Sequence, residues 1–451
     1  MASPAADVAR ITPAALLRGS PGLPGDKSIS HRALMLAALA HGTSRIERAG
    51  DGADVRSTAA ILRRLGAIVE RVSSDGRTAD YTIDSPGAAG LHEPDGPLDC
   101  GNSGTSLRLL AGLLAGLPFR SVLDGDPSLR GRPVARIIEP LRSMGAGLQA
   151  RRDDTLPPLT VVGHTPLRAI DYTTPVPSAQ VKSAILLAGL HAEGRTTVRE
   201  SVATRDHTER MLRARGVPVD REDGPGGSVA WTLEGGVTVR SIDERVPGDV
   251  SAAAFWLVAG VIHPDAELTL RDVGLNPTRR AIVDLLRAMG ANIEERPRDA
   301  RSTAADDGVG EPLADLVVRS SDLHSIELGP GEVAAAIDEI PILCLAATQA
   351  RGTTVIRGAG ELRHKESDRL AGIAEGLRAL GANVEVDGDD IRIEGGSHLR
   401  GGPTDSLDDH RLAMTFAVAG LIATGETTVA RAGSAAISYP GFYDELEGVR
   451  A

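Results

Sequence analysis

Aromatic side chains are nearly missing from this chain of 451 residues: four Phe, four Tyr and two Trp make up 2% of it. A platform on which nucleic-acid bases stack is therefore excluded, and the cores must be filled by Ala, Leu, Val and Ile. Cysteine is scarcer still, with only Cys100 and Cys344, both in apolar sequence. Two such thiols build no disulfide framework and suit a reducing compartment. An excess of positive charge is also lacking, since 49 Lys and Arg against 61 Asp and Glu leave a formal charge of −12. That balance argues against sequence-independent binding to nucleic acid or to an anionic membrane. The longest apolar run, 252–262 (AAAFWLVAGVI), is about half of what a bilayer crossing needs. The first residues, MASPAADVARITPAALLRG, lack a basic segment followed by an apolar one and a cleavage site, so a cytoplasmic protein is expected.

What is present is repetition. One phrase, an apolar helix running into a glycine and then a β-branched strand, occurs at Gly42, Gly194, Gly352 and Gly425, with weaker forms near Leu117 and Ala266. A second phrase, a helix closed by glycine and followed by a short alternating strand, occurs at Gly66, Gly145, Gly216, Gly290 and Gly381. The two sets interleave, so the pattern predicts an α/β fold of about six repeats of roughly 75 residues. Six repeats exceed one compact core, which favours two similar domains of three repeats each. The pattern breaks at Pro247 and Gly248, placing the crossing there, with a first domain over 21–245 and a second from 246. The hydrophilic inserts 222–228 and 301–312 read as surface loop tips without chemistry.

The chemistry-bearing segments share one design: polar donors opening an apolar helix. In 23–39 (LPGDKSISHRALMLAAL) a turn delivers Lys27, Ser28 and Arg32 to the first turns, where free N–H groups and the helix dipole already favour an anion. Segment 100–114 (CGNSGTSLRLLAGLL) repeats this with Gly104, whose missing side chain lets a ligand approach the backbone, but it is not a Walker loop. Arg130 and Arg132 follow in 126–133, Arg132 before a proline. Segment 177–190 offers Ser178 as N-cap with Gln180 and Lys182 behind it, and 204–211 adds Thr204, Arg205 and His207. Later in the chain, Asp338 and Glu339 precede an apolar run, which makes them candidates for perturbed proton affinity. Segment 362–370 (LRHKESDRL) is expected to set Lys365 and Arg369 four apart on a helix beside Glu366, and 407–414 brings Arg411. Many cations with few acids among them suit two polyanionic small molecules and a proton-transfer pair. Metal-ligand spacings, a catalytic triad context and a dinucleotide fingerprint are not found, and no cofactor or metal is expected.

Seven segments taken in order, LPGDKSISHRALMLAALA, GNSGTSLRLL, PSAQVKSAILLAGL, RDHTERML, IDEIPIL, RHKESDRL and DDHRLAMTFAVAG, resemble the enolpyruvyl transferases, specifically the 3-phosphoshikimate 1-carboxyvinyltransferase (EPSP synthase) family. The resemblance runs over nearly the whole chain. It implies an inside-out α/β barrel in each domain, three βαβαββ-type repeats per domain, residues 1–20 joining the second domain, and an active site in the interdomain cleft. The implied reaction transfers the enolpyruvyl group of phosphoenolpyruvate to the 5-hydroxyl of shikimate 3-phosphate. By the same resemblance, Lys27, Ser28, Arg32, Ser178, Ala179, Gln180, Arg205, Asp338 and Lys365 would hold shikimate 3-phosphate. Lys27, Gly104, Arg132, Gln180, Arg369 and Arg411 would hold phosphoenolpyruvate. Asp338 would act as base, Glu366 as proton donor, and Lys27 would assist.

The implied partners are these two small molecules, with the protein acting as a monomer and binding neither nucleic acid nor membrane. Gly104 is expected to leave room for the inhibitor glyphosate. The chain departs from some relatives at Ala179, Thr204 and Ile437, the last putting one supplementary phosphate contact in doubt. Two alternatives stay open at this point: the sister transferase acting on UDP-N-acetylglucosamine, and a non-catalytic anion-binding relative.

Overall fold

A computed structural model describes residues 7–298 and 310–450. Six of its helices present no exposed polar face and are buried almost completely: α1 (Lys27–Leu39), α2 (Gly104–Ala115), α3 (Ala179–Gly189), α4 (Val250–Ile262), α5 (Ile340–Gln349) and α6 (His410–Gly420). A helix without a polar face has no side to offer to water and must lie inside. Their Ala-rich sequences let neighbours come close: a Cβ on Gly112 of α2 would overlap the backbone of Ala184 in α3. A second set of helices, Ala53–Arg64, Ala135–Ser143, His207–Ala214, Ala281–Ala288 and Arg369–Ala379, keeps exposed positions. Each of these is followed by one of the second-phrase glycines, Gly66, Gly145, Gly216, Gly290 or Gly381, all at φ between +81 and +104°. The glycines of the first phrase, Gly42, Gly194, Gly352 and Gly425, are left-handed as well.

The strands explain why the repeat needs two phrases. In the first repeat His41–Gly50 pairs antiparallel with Thr78–Pro86, which pairs antiparallel with Ile68–Ser74, while Glu244–Arg245 lies parallel on the other edge. The same arrangement recurs, so that five sheets have four strands each. Of the two further sheets among the described residues, one is the short parallel pair Leu167–Arg168 with Ala192–Glu193. The other, belonging to the sixth repeat, has three strands: Thr427–Ala430 pairs parallel with Pro403–Asp405 and antiparallel with the N-terminal strand Val8–Ile11. Residues of Thr78–Pro86 alternate between buried and less buried, the mark of a sheet with one face on a core and one toward water. Helices are thus inside and sheets outside. The sheets remain separate, with no continuous barrel closure among the described residues.

The described chain divides into two compact units: residues 25–246 with 310–311, called here the first unit, and residues 7–24, 247–298 and 312–450, the second. The first is built on a core containing α1 to α3, the second on a core containing α4 to α6. Both cysteines are free and buried in these cores, and burial pushes the Cys344 thiol up to about 12. Neither is a nucleophile. Segment 222–228 closes an exposed hairpin between Val219–Asp223 and Val229–Glu234. Most of insert 301–312 lies outside the described residues. Its end is not inert, because Glu311 meets the Nδ1 of buried His207 at 2.7 Å.

Candidate active site

Each buried helix of the first unit starts on a side-chain cap. Asp26, Ser103 and Ser178 accept hydrogen bonds from the N–H groups of Ile29, Ser106 and Val181, so three ordered first turns are available to an anion. On α1, Lys27 is half-buried and its Nζ lies 3.1 Å from Asp54, a buried carboxylate that the sequence alone does not single out. Arg32, five residues on, is spread as a fork: Nε donates to Thr208 Oγ1 (2.7 Å), Nη1 to the carbonyl of Ser28 (2.9 Å) and Nη2 to Ser183 Oγ (2.9 Å). All three acceptors are neutral. Burial lowers the Arg32 guanidinium to about 10, with Arg205 pushing the same way against Glu209, Asp26 and Glu311. An anion arriving beside Arg32 and Arg205 would favour the charged form again.

Gln180 on α3 links the helix starts, donating to Thr105 Oγ1 at 3.2 Å and accepting from Arg108 Nη1 at 2.8 Å. Arg108 also donates to the Pro133 carbonyl at 2.9 Å, which ties the loop carrying Arg132 to α2. Arg132 is extended before its proline, as expected, and donates to Asn102 Oδ1. Gly104 sits against this pair: a Cβ there would stand 2.7 Å from Arg108 Nη1 and 3.6 Å from Arg132 Nη1. Ala179 opens α3 directly behind the cap Ser178, with only a methyl for a side chain. Lys182 belongs to the structure rather than to the surface of the site. It is fully buried, 2.8 Å from Glu200 and 3.0 Å from Glu209, and those carboxylates raise its proton affinity against the cost of burial. Glu200 accepts from the hydroxyl of Thr204, which fixes the turn that presents Arg205.

In the second unit the acids gather on one guanidinium. Buried Arg369 donates Nε to Asp409 Oδ2 (2.6 Å) and Nη2 to Glu366, while Nη1 lies 3.7 Å from Asp338 Oδ1. These carboxylates, Asp409 foremost, outweigh desolvation and raise the proton affinity of Arg369. Asp338 and Glu366 are thereby brought to a common cation, each keeping part of its side chain exposed. Lys365 is half-buried, and its ammonium is lowered from the ordinary lysine value by burial, with Asp338 restoring part of the charge preference.

The spacing of Lys365 and Arg369 suggested a shared helix, and the structure corrects this. A 3₁₀ turn covers Gly360–His364, Lys365 is extended, and a new helix starts at Arg369. The cause is Asp368, whose side chain caps the N–H of Ala371 and starts the helix there. Arg411 opens α6 behind the cap Asp409, its Nη1 3.4 Å from the Ser251 carbonyl and 3.8 Å from Glu339. Ile437 ends a 3₁₀ turn in the same unit.

Among the described residues, no group of three or more His, Cys, Asp and Glu side chains is placed to hold a metal ion, and no helix is long and apolar enough to cross a membrane. The residues that the sequence did not reveal are buried charge partners: Asp54 of Lys27, Glu200 and Glu209 of Lys182, and Arg279 of Glu339. Each lies far along the chain from its partner, and no local pattern marks such a pair.

The EPSP synthase (3-phosphoshikimate 1-carboxyvinyltransferase) profile matches residues 11–446. A 3-phosphoshikimate 1-carboxyvinyltransferase of Gloeobacter violaceus is 52% identical over 442 residues, covering 98% of both chains. One of Halorhodospira halophila is 49% identical, over 97% of this chain and 95% of its own. Among solved structures, EPSP synthase of Acinetobacter baumannii superposes with a TM-score of 0.84 at 40% identity, covering 98% of each chain. The enolpyruvyl transferase NikO of Streptomyces tendae shares the fold at 21% identity and a TM-score of 0.76, over 98% of this chain and 97% of its own. By profile, by relatives and by fold, this chain belongs to the EPSP synthase family.

Proposed function

We propose that the protein transfers the enolpyruvyl group of phosphoenolpyruvate to the 5-hydroxyl of shikimate 3-phosphate, releasing phosphate. The observation that carries the assignment of roles is the gathering of Asp338 and Glu366 on the buried Arg369. An addition–elimination needs a base at the attacking hydroxyl and an acid at the olefinic carbon, and both must be held on one support. Asp338 takes the proton of the 5-hydroxyl as its oxygen bonds to C2 of phosphoenolpyruvate, and Glu366 delivers a proton to C3. The tetrahedral intermediate then loses a proton from C3 and expels phosphate, which restores the double bond as an enol ether.

The first unit supplies the anion site for shikimate 3-phosphate. Lys27, Ser28 and Arg32 take the carboxylate, and Ser178, the backbone at Ala179 and Arg205 take the 3-phosphate. Gln180 lies between the substrates, and Asp338 with Lys365 meets the shikimate hydroxyls. Phosphoenolpyruvate is held by Lys27, Arg132 beside Gly104, the remaining edge of Arg369, and Arg411. Each set draws on residues of both units, so turnover requires residues of both units to reach one pair of substrates. Cations that bound substrate and transition state equally would only lower KM, so rate must come from the acids acting where charge develops. The same reading takes the enzyme as a cytoplasmic monomer.

The test is phosphate release from shikimate 3-phosphate plus phosphoenolpyruvate, with UDP-N-acetylglucosamine run in parallel and Asp338→Asn as control. Release with shikimate 3-phosphate alone, lost in the control, is the expected result. Release with the nucleotide sugar instead would overturn the substrate, and release with neither would leave an anion-binding protein without turnover.

A further inference from the structure

Glu339 follows Asp338 in sequence, yet it is fully buried where Asp338 is partly exposed. Its Oε1 accepts a hydrogen bond from Ser251 Oγ and lies 3.5 Å from Arg279 Nη2 and 3.8 Å from Arg411 Nη1. Its Oε2 has no hydrogen-bond partner. Ser251 Oγ also accepts from Arg279, so the hydroxyl fixes carboxylate and guanidinium together. A buried carboxylate with one oxygen unsatisfied is costly, and a well-packed apolar side chain of similar volume would serve stability as well or better. Its presence points to a task for the charge.

Arg411 shows what that task is. Its separation from Glu339 makes an ion pair without a hydrogen bond, so the Glu339 charge holds the guanidinium without taking an N–H group, and only Nη1 is engaged, by the Ser251 carbonyl at 3.4 Å. The Nε of Arg411 is likewise buried and without a partner. Arg369 in the same unit is the opposite case, with Nε and Nη2 both committed to carboxylates. We infer that Glu339 is a positioning residue: with the Ser251 carbonyl, which takes Nη1, it sets Arg411 through a buried ion pair and leaves the Nε and Nη2 edge for the anionic end of phosphoenolpyruvate. The inference rests on the reading above, in which Arg411 meets phosphoenolpyruvate, and adds the group that orients it.

The experiment uses the full-length protein and the variants Glu339→Gln and Glu339→Asp. Glu339→Gln keeps the shape and removes the charge, and KM for phosphoenolpyruvate should rise about tenfold. KM for shikimate 3-phosphate and Tm should stay near those of the parent, and Glu339→Asp should recover part of the loss. A purely structural role would move both KM values and Tm together, and that result, or an unchanged KM for phosphoenolpyruvate, overturns the inference.

Should Glu339→Gln not fold, Ser251→Ala frees Oε1 while keeping the charge. It should raise KM for phosphoenolpyruvate alone, by about threefold, and no change would be equally fatal. Calorimetric titration of phosphoenolpyruvate into parent and variant, with shikimate 3-phosphate present, separates the two readings. A parent that neither turns over nor binds phosphoenolpyruvate sinks the assigned function and this inference with it. A parent that works beside an unaffected Glu339→Gln sinks only the role of Glu339.

Discussion

At the scale of single residues, Gly104 is the position where one methyl group decides most. Arg108 Nη1 lies 2.7 Å from where a Cβ would stand, and that guanidinium cannot simply swing aside because Gln180 and the Pro133 carbonyl hold it. Gly104→Ala must therefore displace Arg108, and with it the loop that carries Arg132. The expected outcome is a rise of about 5- to 30-fold in KM for phosphoenolpyruvate, the effect of about 1 to 2 kcal/mol, with KM for shikimate 3-phosphate little changed. Steady-state kinetics with each substrate varied in turn would show it, and equal effects on both would disprove the local account. Residues such as Gly104, Lys27 and Arg32 were legible in the sequence because each stands near the start of an apolar helix, a place the chain itself marks. Asp54, which pairs with Lys27, and the Glu200 and Glu209 pair around Lys182 were not. Burial and ion pairing over long sequence separations leave no local trace.

Among the elements, the glycine caps and the ties between helices carry the predictions. Gly145 follows the helix Ala135–Ser143 at φ +104°, and a methyl group added there would meet nothing within 4 Å, so only backbone strain opposes a side chain. Gly145→Ala should cost about 1 kcal/mol in urea unfolding, and a loss beyond about 3 kcal/mol would point to packing instead.

His31 ties three elements: its Nδ1 meets Thr58 Oγ1 of the helix Ala53–Arg64 at 2.8 Å, and Thr58 meets Ser106 Oγ of α2 at 2.8 Å. Burial first, and then the charges of Lys27 and Arg32, hold this imidazole well below the ordinary 6.5. The folded protein thus keeps His31 neutral at a pH where the unfolded chain takes up a proton. Its contribution to stability is complete above pH 6.5 and falls as pH drops below that value. The slope attributable to it is up to about 1.4 kcal/mol per pH unit. In His31→Asn that part of the acid sensitivity should vanish, as Tm measured against pH would reveal.

The repeated elements themselves were readable, because the left-handed glycines recur at fixed places. The short parallel strands, such as Glu244–Arg245 and Leu98–Asp99, were not, since two residues show no period. The break before Arg369 was hidden by a charge spacing that fits a helix equally well.

For the whole molecule, the scarcity of aromatics becomes an instrument. Each unit holds one tryptophan: Trp231 lies in the core of the first unit and Trp256 in that of the second. Trp256 donates Nε1–H to the hydroxyl of Tyr439 at 3.0 Å, and that hydroxyl donates to the Gly22 carbonyl at 2.6 Å. Trp231 is faced by Lys182, Arg213 and Arg221, with centroid distances between 5.2 and 5.4 Å. Trp231→Phe leaves Trp256 as the sole reporter, in the second unit, and Trp256→Phe leaves Trp231 as the sole reporter, in the first. The sixth repeat has no third strand of its own and takes Val8–Ile11 instead, with Ile11 buried against Gly420 of α6.

Deleting residues 1–12 removes that strand and the Ile11 side chain, a loss of at least about 2 to 5 kcal/mol from the core it belongs to. The fluorescence transition reported by Trp256 should then move to clearly lower urea, while the one reported by Trp231 stays where it was. The two cores are built from separate sets of side chains, so a defect in one need not weaken the other. Equal shifts at both reporters would show instead that the two units unfold as one cooperative block, and the six-repeat chain would then have to be treated as a single folding unit.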